Sequence, residues 1–167
     1  VNLTVGGVEG AILFSVGLLS VIKFKLPLYT GMVSKKECYH TPDYLFITLM
    51  FNIVGAVLFA GLVNLAGYDF SVMEMKENKT ALQILFDSYI CGLCVSIAVK
   101  YKHEIITILA VTLFIVCGGE HCIADAFYFG LDNSFGVWKT LIFFFLVIVG
   151  NTLGGITFLS IDKKEID

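Results

Sequence analysis

The chain contains no arginine: all eleven of its basic residues are lysines. That removes the planar, two-pronged guanidinium that grips phosphates. With a net charge of only -3, nothing points to a nucleic-acid partner. Charge of either sign is scarce, at 15% of 167 residues, where a soluble domain carries about 25%. Low-complexity linkers are absent as well, so no domain boundary is expected and the chain reads as one unit. What fills the space is hydrophobic: 57% of residues, with a mean hydropathy of +0.88. This is the composition of a membrane protein.

Five cysteines make an odd count. Cys91, Cys94, Cys117 and Cys122 lie in apolar segments, and Cys38 lies in a loop. Cys91-x-x-Cys94 has a redox or zinc spacing, but no second pair accompanies it, so buried, inert thiols are expected. Cys38, His40 and His103 are too sparse to argue a metal centre. No cofactor is implied, and no nucleophile–base pair suggests an enzyme. Asn2-Leu3-Thr4 and Asn78-Lys79-Thr80 are glycosylation sequons, relevant only in a secretory setting.

A spanning helix needs about 20 apolar residues. Five segments qualify, at about 4–24, 44–66, 81–99, 105–129 and 137–161. Lysine bias orients them. Lys23, Lys25, Lys35, Lys36, Lys100, Lys102, Lys163 and Lys164 fall on one side, against Lys76, Lys79 and Lys139 on the other. This places the C-terminus in the cytoplasm of a multi-pass protein of the cell membrane.

The fourth span is interrupted. Residues 117–130 read CGGEHCIADAFYFG, with Glu120 and His121 where uniform apolarity is expected. Ionisable groups at membrane depth usually face a cavity and act there, and a broken helix is tolerated only where protein or water covers it. His121 is therefore the leading pore candidate, and Glu120 an anchor for the break. An internal echo supports a pathway at the midplane. Asn52-Ile53-Val54-Gly55-Ala56 in the second span parallels Asn151-Thr152-Leu153-Gly154-Gly155 in the fifth. Each follows a glycine-interrupted segment in a half of opposite sense. The second half has three spans and the first has two, so a helix belonging before the first span is expected to be missing.

Three motifs carry a family resemblance: Leu28-Tyr29-Thr30-Gly31, Glu120-His121-Cys122-Ile123-Ala124 and Gly150-Asn151-x-x-Gly154-Gly155. In order and spacing they resemble the formate–nitrite transporter family. The resemblance implies an all-α integral membrane fold, an aquaporin-like inverted-repeat bundle with two broken helices. It also implies one pore per subunit, a homopentamer, and small weak-acid anions such as formate, nitrite, lactate or hydrosulfide as solutes. By position, Phe14, Leu18 and Leu28 would form one hydrophobic constriction and Phe114 would belong to the other. Thr30 and His121 would lie between them, with Asn52 and Asn151 nearby. Such rings strip water from an ion, and a histidine whose ordinary pKa is near 6.5 is a natural proton partner for the anion. The rival readings are a pore altered toward neutral or cationic solutes, and a structural subunit that transports nothing.

Four positions depart from the family pattern. Met32 replaces an Asn, Asp125 replaces an Asn, Gly92 replaces an Asn, and Asp87 stands where a Lys or Arg is usual. Asp87 would repel anions from a vestibule unless it pairs with Lys79 or Lys139. Asp125, one turn beyond His121, is expected to favour the charged imidazole.

Overall fold

A computed structural model describes residues 7–35, 37–38, 41–67, 76, 78–132 and 136–162. The Asn2 sequon, the proposed helix start at Thr4, His40, and Lys36, Lys163 and Lys164 lie outside them. Regular structure in the described residues is helical. The helices are α1 (Gly7–Lys23), α2 (Tyr29–Met32), α3 (Pro42–Leu65), α4 (Ala81–Tyr101), α5 (Glu104–Val116), α6 (Cys122–Leu131) and α7 (Val137–Asp162).

Local chemistry fixes most of the boundaries. Pro42 opens α3 where no amide donor is needed, with Asp43 in its first turn. Thr80 and Gln83 form a reciprocal capping box at the start of α4. That helix runs to Tyr101, two residues past the sequence estimate, because it stops only where Lys102 turns left-handed at φ 51°. Helices α3, α4 and α7 are long and apolar enough to cross a membrane. Their outward faces carry large apolar side chains such as Phe51, Leu65 and Trp138, as a lipid-facing surface requires. Hydroxyls on the spans return to their own helices: Thr48, Ser88, Ser96 and Thr152 each donate to the carbonyl four residues back. No polar atom of theirs is then left bare in hydrocarbon.

Two interruptions organise the bundle, and they are built alike. Helix α1 ends in a Schellman motif: Leu26 N–H reaches Val21 O and Lys25 N–H reaches Ile22 O, with Lys25 left-handed at φ 55°. Helix α5 ends the same way: Gly119 N–H reaches Phe114 O and Gly118 N–H reaches Ile115 O, with Gly118 at φ 75°. After each stop the chain runs extended and then re-enters a helix, α2 at Tyr29 and α6 at Cys122. Lys25 thus matches Gly118, Leu28 matches His121, and Tyr29 matches Cys122.

Helix α4 packs most extensively on α7, and the contact depends on missing side chains. A Cβ on Gly154 would overlap the Tyr89 carbonyl, and one on Gly92 would overlap the carbonyl of Asn151. This explains one departure from the family pattern: an asparagine at position 92 has no room against this α7. Two apolar clusters complete the interior, one around Tyr29, Val33, Phe129, Phe143 and Val147, the other around Cys91, Val95, Val111 and Phe114. Cys91, Cys94 and Cys122 are buried free thiols. Cys117 corrects the expectation of four buried thiols: it falls in the turn that ends α5 and is exposed.

Candidate functional site

Each interruption is latched by an asparagine from the following long helix. Asn52 Oδ1 accepts the Tyr29 N–H at 3.0 Å, and its Nδ2 donates to Pro27 O at 3.1 Å. Asn151 Oδ1 accepts the Cys122 N–H at 2.9 Å, and its Nδ2 donates to Glu120 O at 2.9 Å and Ser88 O at 2.8 Å. In both cases the amide holds the residues on either side of the extended position, Leu28 in one and His121 in the other. A side-chain amide can do this because it offers one acceptor and two donors from one rigid plane.

The latch fixes His121 as the N-cap of α6. Its Nδ1 accepts the Ala124 N–H at 3.3 Å, and its Nε2 lies 2.8 Å from Thr30 Oγ1 on α2. The acceptor role of Nδ1 assigns the ring proton to Nε2, which donates to the threonine oxygen. One hydrogen bond therefore joins the two interruptions at their centre. The ring stacks beside Phe114, with centroids 6.4 Å apart.

A cavity of about 760 Å³ opens beside the imidazole between α1 and α3. Phe14, Leu18, Leu28, Phe114 and His121 all line it. Thr30, Asn52 and Asn151 are not among its lining residues; Thr30 is fully buried against His121, and the two asparagines are spent on backbone. Leu28 and Val21 also line a second, smaller cavity of about 240 Å³ at the end of the bundle where α1 and α4 stop, so together they stand as the wall between the two.

Ionic groups gather on the other side of the α5–α6 interruption. Lys76 is buried between Glu120 and Asp125, with its Nζ 2.7 Å from Asp125 Oδ1 and over the rings of Tyr128 and Phe143. Lys79 bonds Asp87 at 2.7 Å, Glu120 at 2.6 Å and the Gly118 carbonyl at 2.6 Å. Burial pulls the Lys76 ammonium down, but Asp125 and Glu120 outweigh it and raise its pKa. Lys79 is raised in the same way, against burial, by Asp87 and Glu120.

The sequence profile of the formate/nitrite transporter family matches residues 2–161. The chain belongs to the formate/nitrite transporter family. No curated protein matches it by sequence. Among solved structures it is similar to one described as a pentameric formate channel with formate bound. The TM-score is 0.82 at 18% identity, covering 97% of this chain and 83% of that one. The helical membrane fold is that of the formate channel.

Set against the family pattern, the cluster resolves two of the departures. Asp87 holds Lys79 rather than standing as a bare negative charge. Asp125 reaches Lys76, so its bonded oxygen is not directed to the imidazole it was expected to charge. Glu120 meets both lysines. Sequence reading named Lys79 as one of two possible partners of Asp87, but it used Lys76 only as an orientation marker and missed the contacts of both lysines with Glu120 and of Lys76 with Asp125. A signal was present: carboxylates at membrane depth need cations, and these two lysines precede the span that carries Asp87.

Proposed function

We propose that the protein is a membrane channel for a small monovalent weak-acid anion, with His121 as the proton partner of the solute. The observation that carries this is the placement of one imidazole, fixed by Thr30 and Ala124, against a cavity otherwise walled by apolar side chains. A bare anion meets no ordinary counter-charge in such a cavity and loses its water there. An anion that takes up a proton crosses as a neutral acid. For that step the ring first takes up a proton from water as imidazolium, passes one to the anion and returns to the neutral imidazole, while Phe14, Leu18, Leu28 and Phe114 are the groups that exclude water around it.

The formate channel relative supports formate or a similar anion as the solute, and a homopentamer as the assembly. The lysine bias supports a cytoplasmic C-terminus, with five spans formed by α1–α2, α3, α4, α5–α6 and α7. The reading with a neutral or cationic solute leaned on an uncompensated Asp87, and Lys79 now occupies that carboxylate.

The test is uptake by proteoliposomes of formate, nitrite, hydrosulfide, acetate and ammonium across a range of pH. The parent is expected to take up anions, with faster flux at lower pH. His121→Ala is expected to change the pH profile. An unchanged profile in that variant removes His121 from the mechanism, and a protein inert to every anion removes the channel reading.

A further inference from the structure

The smaller cavity has a lining of one sign. Lys25, Lys35 and Lys102 share its wall with Val21, Leu28 and Val99, and among the described residues no carboxylate lines it. All three lysines are exposed, and the ion pair at this end of the bundle is made by Lys23 with Glu104 instead. The cavity abuts the wall residues Leu28 and Val21, on whose far side lies the cavity of His121.

The backbone gives a second, independent sign. Among the described residues, two that are not glycine have positive φ, and they are Lys25 and Lys102. Both sit at left-handed helix stops, where glycine is the comfortable choice. The matching stop in the other half of the repeat does use glycine, Gly118. Both lysines that adopt this conformation line one cavity. Strain kept at a site where a simple alternative exists is a mark of function.

We infer that Lys25, Lys35 and Lys102 form a binding vestibule for a small monovalent anion, the port from which solute passes Leu28 toward His121. Three like charges around about 240 Å³ raise the local anion concentration. Their flexible ammonium groups hold an anion without the fixed two-pronged grip that would trap it. The purpose assigned to the vestibule rests on the transport reading, but binding can be measured apart from it.

The experiment uses the full chain in nanodiscs of zwitterionic lipid, with its lysines carbon-13 dimethylated and followed by NMR while sodium formate replaces sodium sulfate at constant ionic strength. Saturable shifts concentrated on Lys25, Lys35 and Lys102, exceeding those of Lys23 and Lys139, support the vestibule. Equal shifts at all lysines overturn it. So do shifts that appear only when phosphatidylglycerol is added, which would assign the lysines to lipid headgroups.

In proteoliposomes the Lys25→Gln/Lys35→Gln/Lys102→Gln variant is expected to raise the half-saturating formate concentration roughly three- to tenfold and to flatten its salt dependence. Lys25→Gly/Lys102→Gly separates charge from fold. It should melt no lower than the parent, because the strain is relieved, yet lose affinity roughly two- to fivefold. Unchanged affinity in either variant overturns the inference. A parent that binds formate at these lysines but carries no flux would sink the transport reading and leave the vestibule standing.

Discussion

Replacing Asn151 by alanine should damage the protein far more than the same change at Asn52, although the two residues perform matching tasks. Asn151 is fully buried and makes three hydrogen bonds, to Cys122 N–H, Glu120 O and Ser88 O. Asn52 makes two, to Tyr29 N–H and Pro27 O, the second of them exposed. A buried group stripped of its partner costs about 1–3 kcal/mol, with carbonyls at the low end because they keep a second lone pair. Asn151→Ala then costs about 3–5 kcal/mol and Asn52→Ala about 1–2 kcal/mol. For a chain of this length the gap corresponds to roughly 5–10 °C in melting midpoint. The assay is built in: a thiol-reactive fluorescent dye reports unfolding as buried Cys91, Cys94 and Cys122 appear, while exposed Cys117 and half-buried Cys38, replaced by serine in every variant, leave no background. Asn151 also holds both neighbours of His121, so its loss should alter the pH profile of uptake in any preparation that stays folded. Equal midpoints for the two variants, or a lower one for Asn52→Ala, would refute the latch as the source of this stability.

Two further changes test the departures from the family pattern. Asp87→Lys, which sequence comparison alone would expect to favour anions, places an ammonium beside Lys79 and should lower stability by about 1–2 kcal/mol; Asp87→Asn, which keeps a hydrogen-bond acceptor for Lys79 and adds no cation, should cost less in the dye assay, and equal losses for the two variants would show that repulsion from Lys79 is not the cause. Gly92→Asn, which restores the residue usual in the family, should destabilise by about 1–3 kcal/mol or more, because its Cβ meets the Asn151 carbonyl; a parent-like melt would show that α4 and α7 can separate to admit it.

The interruptions were legible before any coordinates because they violate composition. Gly-Gly-Glu-His inside an apolar run, and Leu-Pro-Leu-Tyr-Thr-Gly after one, cannot continue a lipid-facing helix. The paired asparagines were legible as an echo but not as latches. Whether an amide faces a solute or a carbonyl depends on how far α3 and α7 stand from the interruptions, and no spacing within one segment encodes that distance. Leu28 was readable as apolar, but its position between two cavities was not. The hydrogen bond from His121 to Thr30 joins residues 91 apart in sequence, and only the tertiary packing of the two interruptions brings them together. Lys25 carried no sequence signal of its left-handed backbone, since Schellman stops are ordinarily read from glycine.

The ionic cluster shows why a position-by-position comparison misjudged the electrostatics of this chain. A membrane site is constrained by the sum of charges that must be buried together, because a lone ion in a low dielectric is far more costly than a matched pair. That sum does not fix which element carries which sign. Here the connection before α4 supplies two ammonium groups, and α4, the α5–α6 interruption and α6 supply the carboxylates of Asp87, Glu120 and Asp125 in turn. Helix positions are rigid and loop lysines are long, so a lysine two to five residues upstream of a helix can reach the place a helix lysine would otherwise fill. Reading Asp87 as a reversed charge treated the residue as the unit, whereas the unit is the pair it forms with Lys79. The same logic distinguishes the opposite end of the bundle. There Lys25, Lys35 and Lys102 share a cavity that, among the described residues, no carboxylate lines, which is what the proposed vestibule requires, while the charge of Lys76 and Lys79 is already spent on the fold.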